Sequence, residues 1–181
     1  EISQTSRQLS AEIGGGALSI RKHYRVAGAH ESSAIRKYLA EDVIHIHSGM
    51  SAAGQDPAAF YRGHDTGWGC IVQNLDARRK IADSVLVDAV LVDPERKKPE
   101  LSVLKGPAGN GKTILLKRIG WEAAAVYDQL VLFANGASAF QVDALAEIHR
   151  LTGKRIFFLV DRIALFRTEV AKLIADCRSR D

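Results

Sequence analysis

An α/β fold, with helices on both sides of a mostly parallel sheet, is predicted for this chain by three observations. From about residue 100 onward, short apolar runs alternate with stretches of helical period, the rhythm of strands joined by crossover helices. Two of those runs lead into residues of the kind that bind ligands at the carboxyl ends of strands in open sheets: Leu101 to Leu104 runs into a glycine-rich loop, and Ile156 to Val160 ends on Asp161. The 181 residues, 46% hydrophobic and 25% charged, suit one soluble globular domain, or one domain with a piece of another.

Residues 1–13 follow a loosely helical pattern that Gly14-Gly15-Gly16 breaks, and a weak helical pattern from Ala17 to Val26 leaves Arg21, Lys22 and Arg25 to solvent. The triple glycine lacks a following Lys-Ser/Thr pair and reads as a flexible connector. Ser32 and Ser33 are placed to cap a helix whose apolar residues Ala34, Ile35, Tyr38 and Leu39 share one face. Val43 to His47 alternates in period two, which predicts a strand with surface histidines. A His-x-His pair can hold a metal, but no nearby cysteine or carboxylate set completes a site.

Ser48 to Pro57, rich in Gly, Ser, Ala and Pro, is the best boundary in the chain. It separates residues 1–55, a small mainly helical connector or the tail of an upstream domain, from a main domain at residues 56–181. Pro57 can open a short helix through Phe60. Phe60, Tyr61 and Trp68 lie close to glycines and to Arg62, a composition that serves either to stack a planar base or to pack a cap onto the sheet. Packing is the commoner use of aromatic side chains and is the expectation from the residues alone. Ile81 to Val92 reads as a helix that ends before Pro94.

Leu101, Val103 and Leu104 predict a buried strand, and the following Gly106-Pro-Ala-Gly-Asn-Gly-Lys-Thr113 fills the spacing G-x-x-x-x-G-K-[ST] of a phosphate loop. Such a loop turns backbone N–H groups inward around an anion, and glycine supplies the φ > 0 conformations and the close approach that this needs. The helix behind it, marked by Ile114, Leu115, Ile119 and Ala123 and running to about Tyr127, adds its positive end. The candidate nucleotide-binding set is therefore Gly106, Pro107, Ala108, Gly109, Asn110, Gly111, Lys112, Thr113 and Ile114. Lys112 offers a cation for the β- and γ-phosphates, and the Thr113 hydroxyl can join the shell of a magnesium ion.

Gln129 to Ala134 predicts a second buried strand ended by Asn135-Gly136. A helix from about Ser138 to Leu151, burying Phe140, Val142, Leu145 and Ile148, stops at Thr152-Gly153. The strand from Arg155 then ends on Asp161, the Walker B pattern in which a terminal carboxylate faces the magnesium beside the phosphate loop. Thr113 and Asp161 are the candidate metal ligands, and Lys112 and Asp161 the candidate catalytic pair. A last helix from Leu165 to about Arg178 has Val170, Leu173 and Ile174 on one side. Together these predict a P-loop NTPase fold of three αβα layers.

The formal charge of +4 is mildly basic, and the runs Arg78-Arg79-Lys80 and Arg96-Lys97-Lys98 read as solvated faces. No aromatic residues interleave them, so nucleic acid is not an expected partner. Cys70 and Cys177 sit in no metal-ligand spacing and read as reduced thiols of a cytoplasmic protein. No apolar stretch has the length of a bilayer span, so no membrane partner is expected.

The combination resembles the STAND class of P-loop ATPases, switch proteins related to AAA and origin-recognition ATPases. The loop and the Walker B strand carry the class. Phe60-Tyr-Arg-Gly-His-Asp-Thr-Gly-Trp-Gly-Cys-Ile71, followed by Asp76-Ala77-Arg78-Arg79, resembles a pattern F-x-R-G-x-x-x-x-W-x-D-I, then D-x-x-R, of STAND domains in bacterial anti-phage defence proteins. The resemblance covers about Phe60 to the end. It implies ATP or ADP with Mg2+, base recognition by Arg62 and Gly63 with Trp68 walling the pocket, homo-oligomerisation, a phage-derived protein as trigger, and an attached effector. Cys70 departs from an expected Asp. Arg162 stands where many relatives carry a second acid, so the usual activator of the attacking water is missing from this position and hydrolysis is expected to be slow or absent.

The resemblance also implies a further strand, carrying a polar sensor residue, between the phosphate-loop strand and the Walker B strand. With Glu1 in place of a Met, this predicts an incomplete sheet in a segment of a larger protein. A kinase–GTPase arrangement would instead place those two strands side by side. It goes with the alternative function, a conventional ATPase or kinase acting on a small molecule or nucleic acid, for which no acceptor pocket or catalytic base is recognisable in the sequence. A third reading is a degenerate nucleotide site kept as an oligomerisation scaffold.

Overall fold

The computed structural model describes residues 33–52, 56–64, 67–90 and 98–180. The expectations for residues 1–32, including the triple glycine, fall outside them. The architecture is mixed α/β around a small three-stranded sheet.

The central strand is β2 (Leu130–Ala134), whose Leu130, Val131 and Leu132 are fully buried. On one side it pairs antiparallel with β1 (Val43–Ile46), in register Val43 with Ala134 and Ile46 with Val131. On the other it pairs parallel with β3 (Ile156–Leu159), Leu130 opposite Ile156 and Phe133 opposite Leu159. The parallel pair is joined by helix α6 (Val142–Thr152), making a βαβ unit. Gly153 adopts φ 63° at the end of that helix, so the Thr152-Gly153 stop forms as the sequence predicts.

Side chains alternate across the strands and fill two cores. On one face Leu130, Leu132 and Val43 meet Ile35, Tyr38 and Leu39 from α1 (Ser33–Lys37) and its continuation to Asp42, together with Leu145 and Ile148 of α6 and Leu173 of α7 (Arg167–Arg178). The Tyr38 hydroxyl donates to the Ala139 carbonyl at 2.7 Å, and burial pushes its pKa above the usual tyrosine range. On the other face Ile46 and Val131 meet Leu115, Ile119, Ala123 and Ala124 of α5 (Lys112–Ala125) and Ala82, Leu86 and Val90 of α4 (Lys80–Val85) and its continuation. Two short helices precede α4: α2 (Pro57–Tyr61), capped by the Asp56 carboxylate on the Ala58 N–H at 2.9 Å, and α3 (Trp68–Val72). Proline opens α2 as expected. Helix α3 was not legible, since glycines flank and interrupt it.

Three expectations are corrected. Leu101 to Leu104 is not a buried strand: it forms no ladder, and Leu101 and Val103 are 54% and 43% exposed. An apolar run becomes a strand only where an edge satisfies its backbone, and the described sheet ends at β3, to which this segment does not pair. The segment is tied alongside by Glu100 and Arg155, 3.9 Å apart, and by Leu104 packing on the α5 side of the core. Second, the described sheet is evenly mixed and not mostly parallel, since β2 and β3 are parallel and β1 runs against β2. Third, His45 is a buried residue at 6% exposure and not a surface histidine, because its face of β1 is covered by the core. Among the described residues there is no group of three or more His, Cys, Asp and Glu side chains that could hold a metal ion.

Candidate functional site

The loop 106–111 enters α5 through backbone that only glycine takes without strain. Gly109 has φ 80° and Gly111 φ 66°. The Leu115 N–H donates to the Gly111 carbonyl at 2.9 Å, so the helix starts at once behind the loop and its first-turn N–H groups point outward toward it. Helix formers Leu115, Leu116, Lys117, Arg118 and Glu122 and the run Ala123-Ala-Ala125 carry it on. Lys112 is folded back on its own loop, with Nζ donating to the Pro107 carbonyl at 2.7 Å.

Thr113 and Asp161, 48 residues apart, meet. The Thr113 hydroxyl lies 3.0 Å from Oδ1 and 3.1 Å from Oδ2 of Asp161. Asp161 follows β3, and the contact is made because β3 and α5 pack closely: a Cβ on Gly120 would lie 2.4 Å from Cδ1 of Leu159. While the hydroxyl gives its proton to the carboxylate, its lone pairs stay open. Two hard oxygen donors therefore converge beside the lysine, a donor chemistry that fits a magnesium ion. Arg162 adopts φ 50°, and its Nε lies 4.0 Å from Asp161 Oδ2, so a cation, not a second acid, stands next to that carboxylate.

The upstream arm is clamped to α5 by Arg118, which sequence reasoning missed. Its side chain is 6% exposed. Nε donates to Asp76 Oδ2 at 2.9 Å, Nη1 to Asn74 Oδ1 at 3.0 Å and Nη2 to the Ile71 carbonyl at 2.9 Å, and Nη2 also meets Asp76 Oδ1. Glu122 lies 3.9 Å from Arg118 and 4.0 Å from Arg78, and Arg78 lies 3.4 Å from Asp83. The one signal was an arginine inside the apolar stripe Leu115, Ile119, Ala123. Arg79, next in sequence, reaches the loop itself, with Nη1 donating to the Asn110 carbonyl at 2.7 Å.

Trp68 packs as the residues alone predict. Its ring meets Phe133 edge-on at 5.3 Å with Lys117 Nζ 5.6 Å above it, and its indole N–H is buried without a partner among the described residues. Arg62 is exposed, and Gly63, at φ 76°, follows the end of α2. Of the candidate site residues, the structure thus brings Thr113 and Asp161 together and folds Lys112 onto the Pro107 carbonyl, while no described hydrogen bond joins Arg62 or Gly63 to the loop. A hollow of about 440 Å³ between α6 and α7, lined by Phe140, Asp143, Lys172 and Arg180 among others, includes no loop residue.

A family model described as novel STAND NTPase 5 matches residues 58–181. No curated protein and no solved structure matches the chain. The chain belongs to the novel STAND NTPase 5 family.

Proposed function

We propose, from this membership in a family of nucleotide-dependent switches, that the chain binds ATP with Mg2+ at residues 106–113 and uses the occupied and empty states as a signal. The observation that carries the reading is the meeting of Thr113 with Asp161 beside the phosphate loop. Lys112 exchanges the Pro107 carbonyl for the β- and γ-phosphates. Gly106 to Ile114, Pro107 excepted, supply backbone N–H donors and the helix end, and Thr113 and Asp161 would hold the metal, which would neutralise phosphate charge. Arg62 and Gly63 contact the base. With Arg162 beside Asp161, no adjacent acid activates water, so the site holds nucleotide far longer than it hydrolyses it.

Residues 56–181 form the N-terminal part of an NTPase domain of three αβα layers, and residues 1–55 a connector or the tail of an effector whose last part, through residues 43–46, adds an antiparallel strand to the NTPase sheet. The segment 101–104, which forms no ladder, and the buried Arg155 Nη1, which has no hydrogen-bond partner among the described residues, support a sheet that takes a further strand beside β3. In the cytoplasm, sensing of a phage-derived protein would drive homo-oligomerisation through the NTPase domain and activate the effector.

Titration with fluorescent ATP tests the site. Lys112→Ala removes charge-assisted hydrogen bonds and is expected to weaken binding about 100-fold, and Asp161→Asn to abolish its magnesium dependence. Wild-type affinity in Lys112→Ala would refute the reading, and rapid multiple turnover without any protein trigger would favour a conventional ATPase.

A further inference from the structure

Among the described residues, Arg79 is the one basic side chain from outside the loop that holds the loop backbone, and the roles above leave it unused. Besides the bond to the Asn110 carbonyl, a Cβ built on Gly111 would lie 2.7 Å from Arg79 Nη2. The guanidinium therefore rests against the backbone immediately before Lys112, and Gly111 makes room for it by having no side chain.

Its position is set from behind. Arg118 fixes Ile71, Asn74 and Asp76, so the chain is anchored to α5 three residues before Arg79. Arg79 itself is exposed, and among the described residues no carboxylate neutralises it. One donor is spent on Asn110, and the rest of the fork remains to be filled. A planar guanidinium matches phosphate oxygens, and one already held in place loses little freedom on binding.

We propose that Arg79 is a second cation of the phosphate site, holding the loop through Asn110 and donating to the polyphosphate of the nucleotide alongside Lys112. This rests on the reading of residues 106–113 as a nucleotide loop. Arg78, one residue earlier, faces Asp83 and Glu122 and serves as the control.

The test is calorimetric titration of the purified protein with Mg–ATP and with inorganic tripolyphosphate. If the wild type binds neither and Lys112→Ala changes nothing, the nucleotide reading fails first. Given wild-type binding, Arg79→Ala is expected to weaken both ligands about 10- to 100-fold, the range for a hydrogen bond to a charged group. Arg79→Lys should recover part of that loss, and Arg78→Ala should bind like the wild type. Arg79→Gln keeps a donor for the Asn110 carbonyl and loses the charge, so it should bind about as weakly as the alanine variant. Wild-type affinity in Arg79→Gln or Arg79→Ala overturns the proposal, as does a loss seen with ATP and not with tripolyphosphate. Should Arg79→Ala unfold, the Gln and Lys variants decide alone.

Discussion

Helix α5 carries two charged constellations that are built in opposite ways. At its start, Lys112 and Thr113 lie in a half-open site where, among the described residues, the lysine bonds to its own loop and the threonine hydroxyl lies between both oxygens of an aspartate. Less than two turns later, Arg118 is buried and spends its donors on Asp76, Asn74 and Ile71. The first group is under-satisfied and accessible, as a ligand site must be. The second is saturated and dry, as a clamp must be. Charge by itself does not mark function here. What separates the two is how much bonding capacity is left over.

The sharpest way to break that contrast is at Arg118. Arg118→Ala leaves Asp76, whose side chain is 2% exposed, charged and buried without its partner. The expected loss is about 3–5 kcal/mol in chemical denaturation. Adding Asp76→Asn should recover part of it, because the uncompensated charge is the larger part of the cost. A loss no larger than that of a surface ion pair would mean the clamp is not a clamp.

A smaller effect is expected at Gly120, where helix and strand touch. Gly120→Ala gains about 1 kcal/mol of helix propensity. It also forces Leu159 aside, at a cost of about 1–3 kcal/mol. The net loss of about 1 kcal/mol would be read from the denaturation midpoint, with weaker magnesium dependence of ATP binding as the sign that Asp161 has shifted. The smallest effect belongs to Arg150, which pairs with Glu147 at 2.6 Å on the outer face of α6 and, through that hydrogen bond, holds the Glu147 carboxyl below its usual pKa. Arg150 is exposed and Glu147 half-exposed, so Arg150→Ala should leave the midpoint unchanged within error. A clear shift there would blur the line between saturated buried charge and ordinary surface charge.

The loop, Asp161, β2, β3 and the helices behind them were legible because each is written locally. Glycine spacing, an apolar run ending on an acid, and helical period all lie within a few residues. Arg118 with Asp76 and Arg79 with Asn110 were not, since they join residues 42 and 31 positions apart and have no local period. Leu101 to Leu104 shows the opposite failure, in which composition gives the tendency to form a strand but cannot supply the neighbour that would pair with it. The direction of β1 was invisible for the same reason: alternation in Val43 to His47 tells which residues share a face and nothing about which way the partner runs.

The seat of Leu159 against Gly120 has a mechanical side. A leucine lodged where a helix has no side chain acts as a detent, so α5 cannot slide along β3 without lifting it out. The distance from Thr113 to Asp161 is then a fixed dimension of the molecule.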